Sequence, residues 1–123
     1  MGDRVSISFV RRASGKTWEY EKGDLESVTI GNHWGGMTLV ELAKDFIESL
    51  GEPGHGDPIS RREPSALIAP FINMLEESFA SDLRVVRSPK EYDNSDRGHW
   101  QVDVYTGKAK KIMEAEKNEE RTK

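Results

Sequence analysis

Two short stretches hold most of the side chains that could do chemistry. The first is GNHWGGMT, residues 31–38, where a strand-like run passes into a helix-like one. His33, Trp34, Gly35 and Gly36 follow one another there. Glycines let a ligand approach the backbone closely, and the N–H groups at a helix start attract anions. His33 would add a donor and Trp34 a stacking face. The same residues also fit a tight turn with Trp34 in the core. A P-loop is excluded, because the G-x-x-x-x-G-K-[ST] spacing is missing and no lysine follows the glycines.

The second stretch is DNSDRGHW, residues 93–100. Asp93, Asp96 and His99 are residue types that ligate metals, although the EF-hand spacing and its terminal glutamate are missing. Arg97 can clamp a phosphate or a carboxylate with two parallel N–H donors. Asn94, Ser95 and Asp96 also make side-chain-to-backbone turns readily. A self-capping polar turn therefore stands beside a ligand site as a reading of this stretch.

Two further places carry charge. GHGDPISRREP, residues 54–64, places Arg61 and Arg62 at a helix entrance after His55 and Asp57. Adjacent arginines suit an anionic ligand or an acidic partner, and a solvated loop would look the same. Asp3 and Arg4 precede the first strand. A strand's start can lie beside the end of a neighbour, so Asp3 could pair with Arg97, or Arg4 with Asp96, and brace the sheet. The tools of nucleophilic catalysis are incomplete, since no elbow motif or triad spacing is present. A general base remains open, with His33 or His99 acting beside Asp96.

The elements that must position these residues follow from periodicity. RVSISFVRR, residues 4–12, alternates with Val5, Ile7 and Phe9 on one face, as a half-buried strand does. A second strand is expected around Val28 and Ile30, with a short one at 17–20. Leu39, Leu42, Ala43, Phe46, Ile47 and Leu50 fall on one helical stripe. Thr38 and Glu41 have the spacing of a capping box, and Gly51 suits the left-handed stop. Helical spacing returns at 65–79, with Pro64 in a first turn and Pro70 forcing a kink or a later start. Strands are expected near Leu83–Val86 and again at 99–106, with Trp100, Val102 and Val104 inward. The order ββααββ predicts a small α+β domain, an antiparallel sheet of about four strands packed on two helices. It would span residues 1–107, with 108–123 a charged, mobile tail.

Composition removes several classes of function. A chain of 123 residues makes one domain. The absence of cysteine excludes disulfides, thiolate zinc sites and a cysteine nucleophile. A net charge of −4 lacks the basic surplus of a duplex nucleic-acid binder. No run approaches the ~20 apolar residues that cross a bilayer, and a cytoplasmic location is expected. Gly2 and Ser6 match a myristoylation pattern, but the alternation from Val5 onward reads as a strand.

MGDRVSISF, SVTIGNHWGG, SRREP and NSDRGHW together resemble a family of small proteins from archaea, bacteria and their phages. Those chains open with a GDR-type strand, carry HWGG before a helix, and continue with R-x-EP-like and NSD-x-GH segments. The likeness covers roughly the first hundred residues. It implies a mobile-element setting and no particular activity. The leading expectation is a non-catalytic homodimer, without a cofactor, that binds a small anion such as a nucleotide or cyclic nucleotide immune signal. Its site would use His33, Trp34, Gly35, Gly36, Arg61, Arg62, Asn94, Asp96, Arg97 and His99. A small phosphodiesterase and an acidic inhibitor of a host defence protein are the alternatives.

Overall fold

In a computed structural model, the described residues are 2–12 and 25–112. They form six strands: β1 Val5–Arg11, β2 Leu25–Glu26, β3 Thr29–Asn32, β4 Leu83–Val86, β5 His99–Asp103 and β6 Ala109–Lys111. Three helices accompany them: α1 Met37–Ser49, α2 Ile68–Met74 and α3 Glu77–Ala80. Short 3-10 turns occupy Pro64–Leu67 and Pro89–Glu91. The protein is α+β, as expected, but the sheet has more strands than the four anticipated and its order is βββαααβββ. The extra strands are short ones, which periodicity detects poorly. The strand expected at 17–20 lies outside the described residues.

The sheet runs β4-β3-β1-β5-β6, with β2 also pairing β1. It is mixed, not purely antiparallel, because β1 and β5 run parallel, with Ser6 opposite His99 and Ser8 opposite Gln101. The stretch at 93–98 is therefore no hairpin turn. It belongs to a connection that carries the chain from edge strand β4 across to the far side of β1.

Alternation along β1 gives the sheet two unlike faces. Val5, Ile7 and Phe9 are fully buried against α1, α2 and the first 3-10 turn. Phe9, Phe46 and Phe71 form the centre, with ring centroids 5.5 to 6.1 Å apart. Burying each such ring contributes roughly 1.5–3 kcal/mol. Ser6 and Ser8 point the other way and are just as buried.

The helices depart from expectation at their ends. α1 begins after Gly36 without any side-chain cap, so Thr38 and Glu41 do not form the expected box. The turn before it is held by other residues: Gly36 N–H donates to the Asp3 carbonyl at 2.8 Å. Gly51 does stop the helix, at φ 75°. Pro70 sits in the first turn of α2, where its missing N–H has no intrahelical partner to lose. The chain becomes extended at Leu75 and restarts as α3, so the second expected helix is two. The body also continues past the expected boundary at 107. Gly107, at φ 76°, turns the chain into β6, which pairs with β5 from Trp100 to Val102.

Candidate functional site

Parallel pairing of β1 with β5 places His99 on the sheet face opposite the core, between two serines. Ser6 Oγ lies 2.7 Å from Nδ1 and Ser8 Oγ 3.1 Å from Nε2. The chain of bonds continues outward on both sides. Asn94 donates its amide to Ser6 Oγ at 2.8 Å, and Ser8 donates to Glu26 Oε2 at 2.5 Å. Gln101 donates to the same carboxylate at 3.2 Å, and Arg12 donates to the Gln101 carbonyl.

Donor counting assigns the protons. A carboxylate only accepts, so the single Ser8 hydrogen goes to Glu26. Ser8 Oγ then accepts from His99, which puts the imidazole hydrogen on Nε2. Ser6 already accepts from Asn94 and is free to donate to the bare Nδ1. A neutral imidazole thus satisfies each partner in the row. Glu26 is held at about 2, first by the His99 N–H facing it, then by the Ser8 hydroxyl and the Gln101 amide, against the cost of partial burial. The Ser8 hydroxyl is the direct contact, because His99 Nε2 stands 3.9 Å from Glu26. Ser6, Ser8 and His99 are all at most 1% exposed, so no substrate reaches a serine oxygen here. The row braces the fold and has no nucleophile to offer.

Both ion pairs read from the sequence are formed. Arg97 Nε donates to Asp3 at 2.6 Å, and Arg4 Nε to Asp96 at 3.0 Å. Arg4 also reaches Asp93 at 2.6 Å. Asp96 is held below its usual range by the Arg4 backbone N–H and then the Arg4 guanidinium. Asp93 is held down chiefly by the Ser95 hydroxyl and amide. The DNSDRGHW stretch therefore bonds itself to the start of β1. Asp93, Asp96 and His99 do not converge, and no cluster with metal-ligand geometry exists among the described residues. His99 has neither Asp96 nor His33 as a hydrogen-bond partner, so the expected general-base set is not assembled.

The turn at 32–36 is likewise occupied from within. Asp82 Oδ2 accepts from the His33 and Trp34 amides, at 3.0 Å each. Asn32 Oδ1 accepts from Gly35 N–H. The amides expected to attract an anion thus face a carboxylate and an amide oxygen already. The ring of Tyr92 covers Gly31, where a Cβ would stand 2.5 Å from it.

Trp34 is not in the core. It is 63% exposed and stacks its edge on His33, at 4.7 Å between ring centroids. It rims an open groove of about 500 Å³, whose walls also include Asn32, Gly35, Thr38, Glu76, Phe79 and Asp82. The groove mixes apolar and polar lining, with the Trp34 and Phe79 rings beside two carboxylates. Compared with protein-family models, curated proteins and solved structures, the chain matches none. The groove's own chemistry therefore carries the functional reading.

The 52–63 loop is folded back on α1 and lies apart from that groove. Arg62 is buried at φ 60° and donates to the carbonyls of Gly51, at 2.5 Å, and Ile59, at 3.1 Å. It places a cation at the negative end of α1. Arg61 pairs with Glu63 at 2.7 Å, and Asp57 Oδ1 caps the Ser60 amide at 2.8 Å. His55 is exposed. Sequence reasoning missed Ser6, Ser8 and Glu26. The only trace of them was a pair of serines alternating with apolar residues, a pattern shared with any strand that has one wet face. It also missed Glu76 and Asp82, which look like ordinary surface acids.

Proposed function

We propose that this protein is a non-catalytic binding protein whose recognition groove lies beside the start of α1. The observation that carries the reading is Trp34, a large aromatic side chain held two-thirds in solvent at the rim of a groove with mixed apolar and polar lining. Exposing such a ring forgoes burial that the same residue would gain in the core. A flat ligand recovers it, and stacking on a nucleobase contributes about 1–3 kcal/mol.

The groove favours the base of a nucleotide over its phosphates. Glu76 and Asp82 accept hydrogen bonds from ring N–H groups and exocyclic amines. The Asn32 carbonyl is spent on Gly35, which leaves its amide to donate. Phosphates would be repelled by the two carboxylates and would lie toward solvent. The arginines expected to hold them are engaged elsewhere: Arg97 with Asp3, Arg61 with Glu63, Arg62 with main-chain carbonyls. With the resemblance to phage-associated chains, retention without turnover is the behaviour of a sponge for a nucleotide signal.

Fluorescence titration with nucleosides, mononucleotides and cyclic nucleotides tests the reading. Saturable quenching that disappears in Trp34→Ala and weakens in Glu76→Gln is expected, with the ligand recovered unchanged. Nucleosides and nucleotides that leave the signal unchanged would sink the proposal, and so would a recovered ligand that had been converted.

A further inference from the structure

A second concave site lies on the same sheet face as His99, at the other end of the strands. The two-residue pleat brings Val10 and Arg12 of β1 and its exit, Gln101 and Asp103 of β5, and Lys108 and Lys110 around β6 to one side. They enclose about 300 Å³ together with Thr106 and Ala109. Three of these side chains are cationic and one is acidic, in a chain whose net charge is −4. Asp103 turns Oδ1 onto the amides of Tyr105 and Thr106, at 2.7 and 2.9 Å, where it caps the turn. Lys108 and Lys110 have no carboxylate within ion-pair distance among the described residues, and both are exposed.

The remaining donors are set in place by the fold. Gln101 is oriented by its two bonds, giving its amide to Glu26 and taking Arg12 on its carbonyl. Thr106 Oγ1 accepts from the Lys108 amide at 3.1 Å, which leaves its own hydrogen to donate. Cations thus approach one hollow from the ends of β1 and β6, on either side of β5, with a hydroxyl beside them.

We infer that this hollow binds the phosphate of a small phosphorylated molecule, at a site separate from the Trp34 groove. A tetrahedral oxyanion offers oxygens toward all three strands, whereas a planar carboxylate offers two in one plane. Concentrated positive charge on an acidic protein also steers anions to this face.

The test is a 15N–1H NMR titration of the whole chain with inorganic pyrophosphate, at constant ionic strength set with sodium chloride. Saturable shifts confined to amides of residues 10–12 and 101–110, with residues 32–38 unmoved, are expected. Lys108→Gln/Lys110→Gln should weaken binding at least tenfold while its spectrum stays folded, since both side chains are exposed. Lys90→Gln, an exposed lysine elsewhere, should leave it unchanged. Absent or non-saturable shifts would overturn the site, as would equal loss in Lys90→Gln. Malonate binding as tightly as pyrophosphate would overturn the phosphate assignment.

Discussion

Ser6 Oγ and His99 Nδ1 lie 2.7 Å apart in the interior, 93 residues apart in sequence. The contact exists because β1 and β5 are parallel and in a register that sets Ser6 opposite His99. It is an inner link of a row that runs from Asn94 to Glu26.

Cutting that row inside the protein should be costly. Ser6→Ala leaves the Nδ1 lone pair and one Asn94 hydrogen short of a partner, at about 1–3 kcal/mol. His99→Ala leaves the Ser6 hydroxyl hydrogen without its acceptor and Ser8 Oγ without its imidazole donor, and opens a cavity, for about 2–4 kcal/mol. Urea unfolding monitored by circular dichroism gives both values. Wild-type stability in His99→Ala would show that the row contributes nothing.

Glu26 makes the fold sensitive to acid. Its carboxyl titrates at about 2 in the folded chain, against an ordinary value of 4.5. Ionised Glu26 therefore adds stability above pH 4.5, and that stability is lost as the pH falls toward 2. Being half exposed, it adds only part of what the shift alone would suggest. The stability gap between wild type and Glu26→Gln should be widest near neutral pH and shrink through this window. A gap independent of pH between 2 and 6 would refute the coupling.

Gly36 should resist replacement. Its φ of 56° is strained for other residues, and a Cβ would strike the Asp3 carboxylate. Gly36→Ala is expected to destabilise by about 1–3 kcal/mol, most of it backbone strain. Thermal melts would show the loss. Gly51→Ala offers a comparison, because it shares a positive φ and meets nothing within 4 Å. It should cost less.

The Asp3–Arg97 pair should matter little to stability despite its 2.6 Å distance, because both partners are substantially exposed and screened. A double-mutant cycle with Asp3→Asn and Arg97→Gln should show weak coupling that fades in salt. Strong, salt-resistant coupling would point to a role in the closure of the β1–β5 end.

The two sheet faces were legible in the sequence to different degrees. Val5, Ile7 and Phe9 announce a buried face by alternation, and the α1 stripe announces the helix that covers it. Those patterns are local, and hydrophobic burial enforces them wherever the strand goes. The Asp3–Arg97 and Arg4–Asp96 pairs were also legible as opposite charges near strand ends, although they form because the start of β1 lies beside the start of the parallel β5, not beside a neighbour's end. The capping box at Thr38 does not form: its spacing is right, but Asn32 from within the turn and Asp3 and Asp82 from elsewhere hold the turn first.

What only tertiary structure decided is the company each polar side chain keeps. Strand direction and register set which residues face each other, and neither is encoded in any single segment. Reversing β5 would separate His99 from Ser6 and Ser8, and a one-residue slip would turn it to the core face. The exposure of Trp34 has the same origin. A tryptophan after a strand reads as core by composition. The chain places Asp82 beneath its backbone, and the ring is left outside.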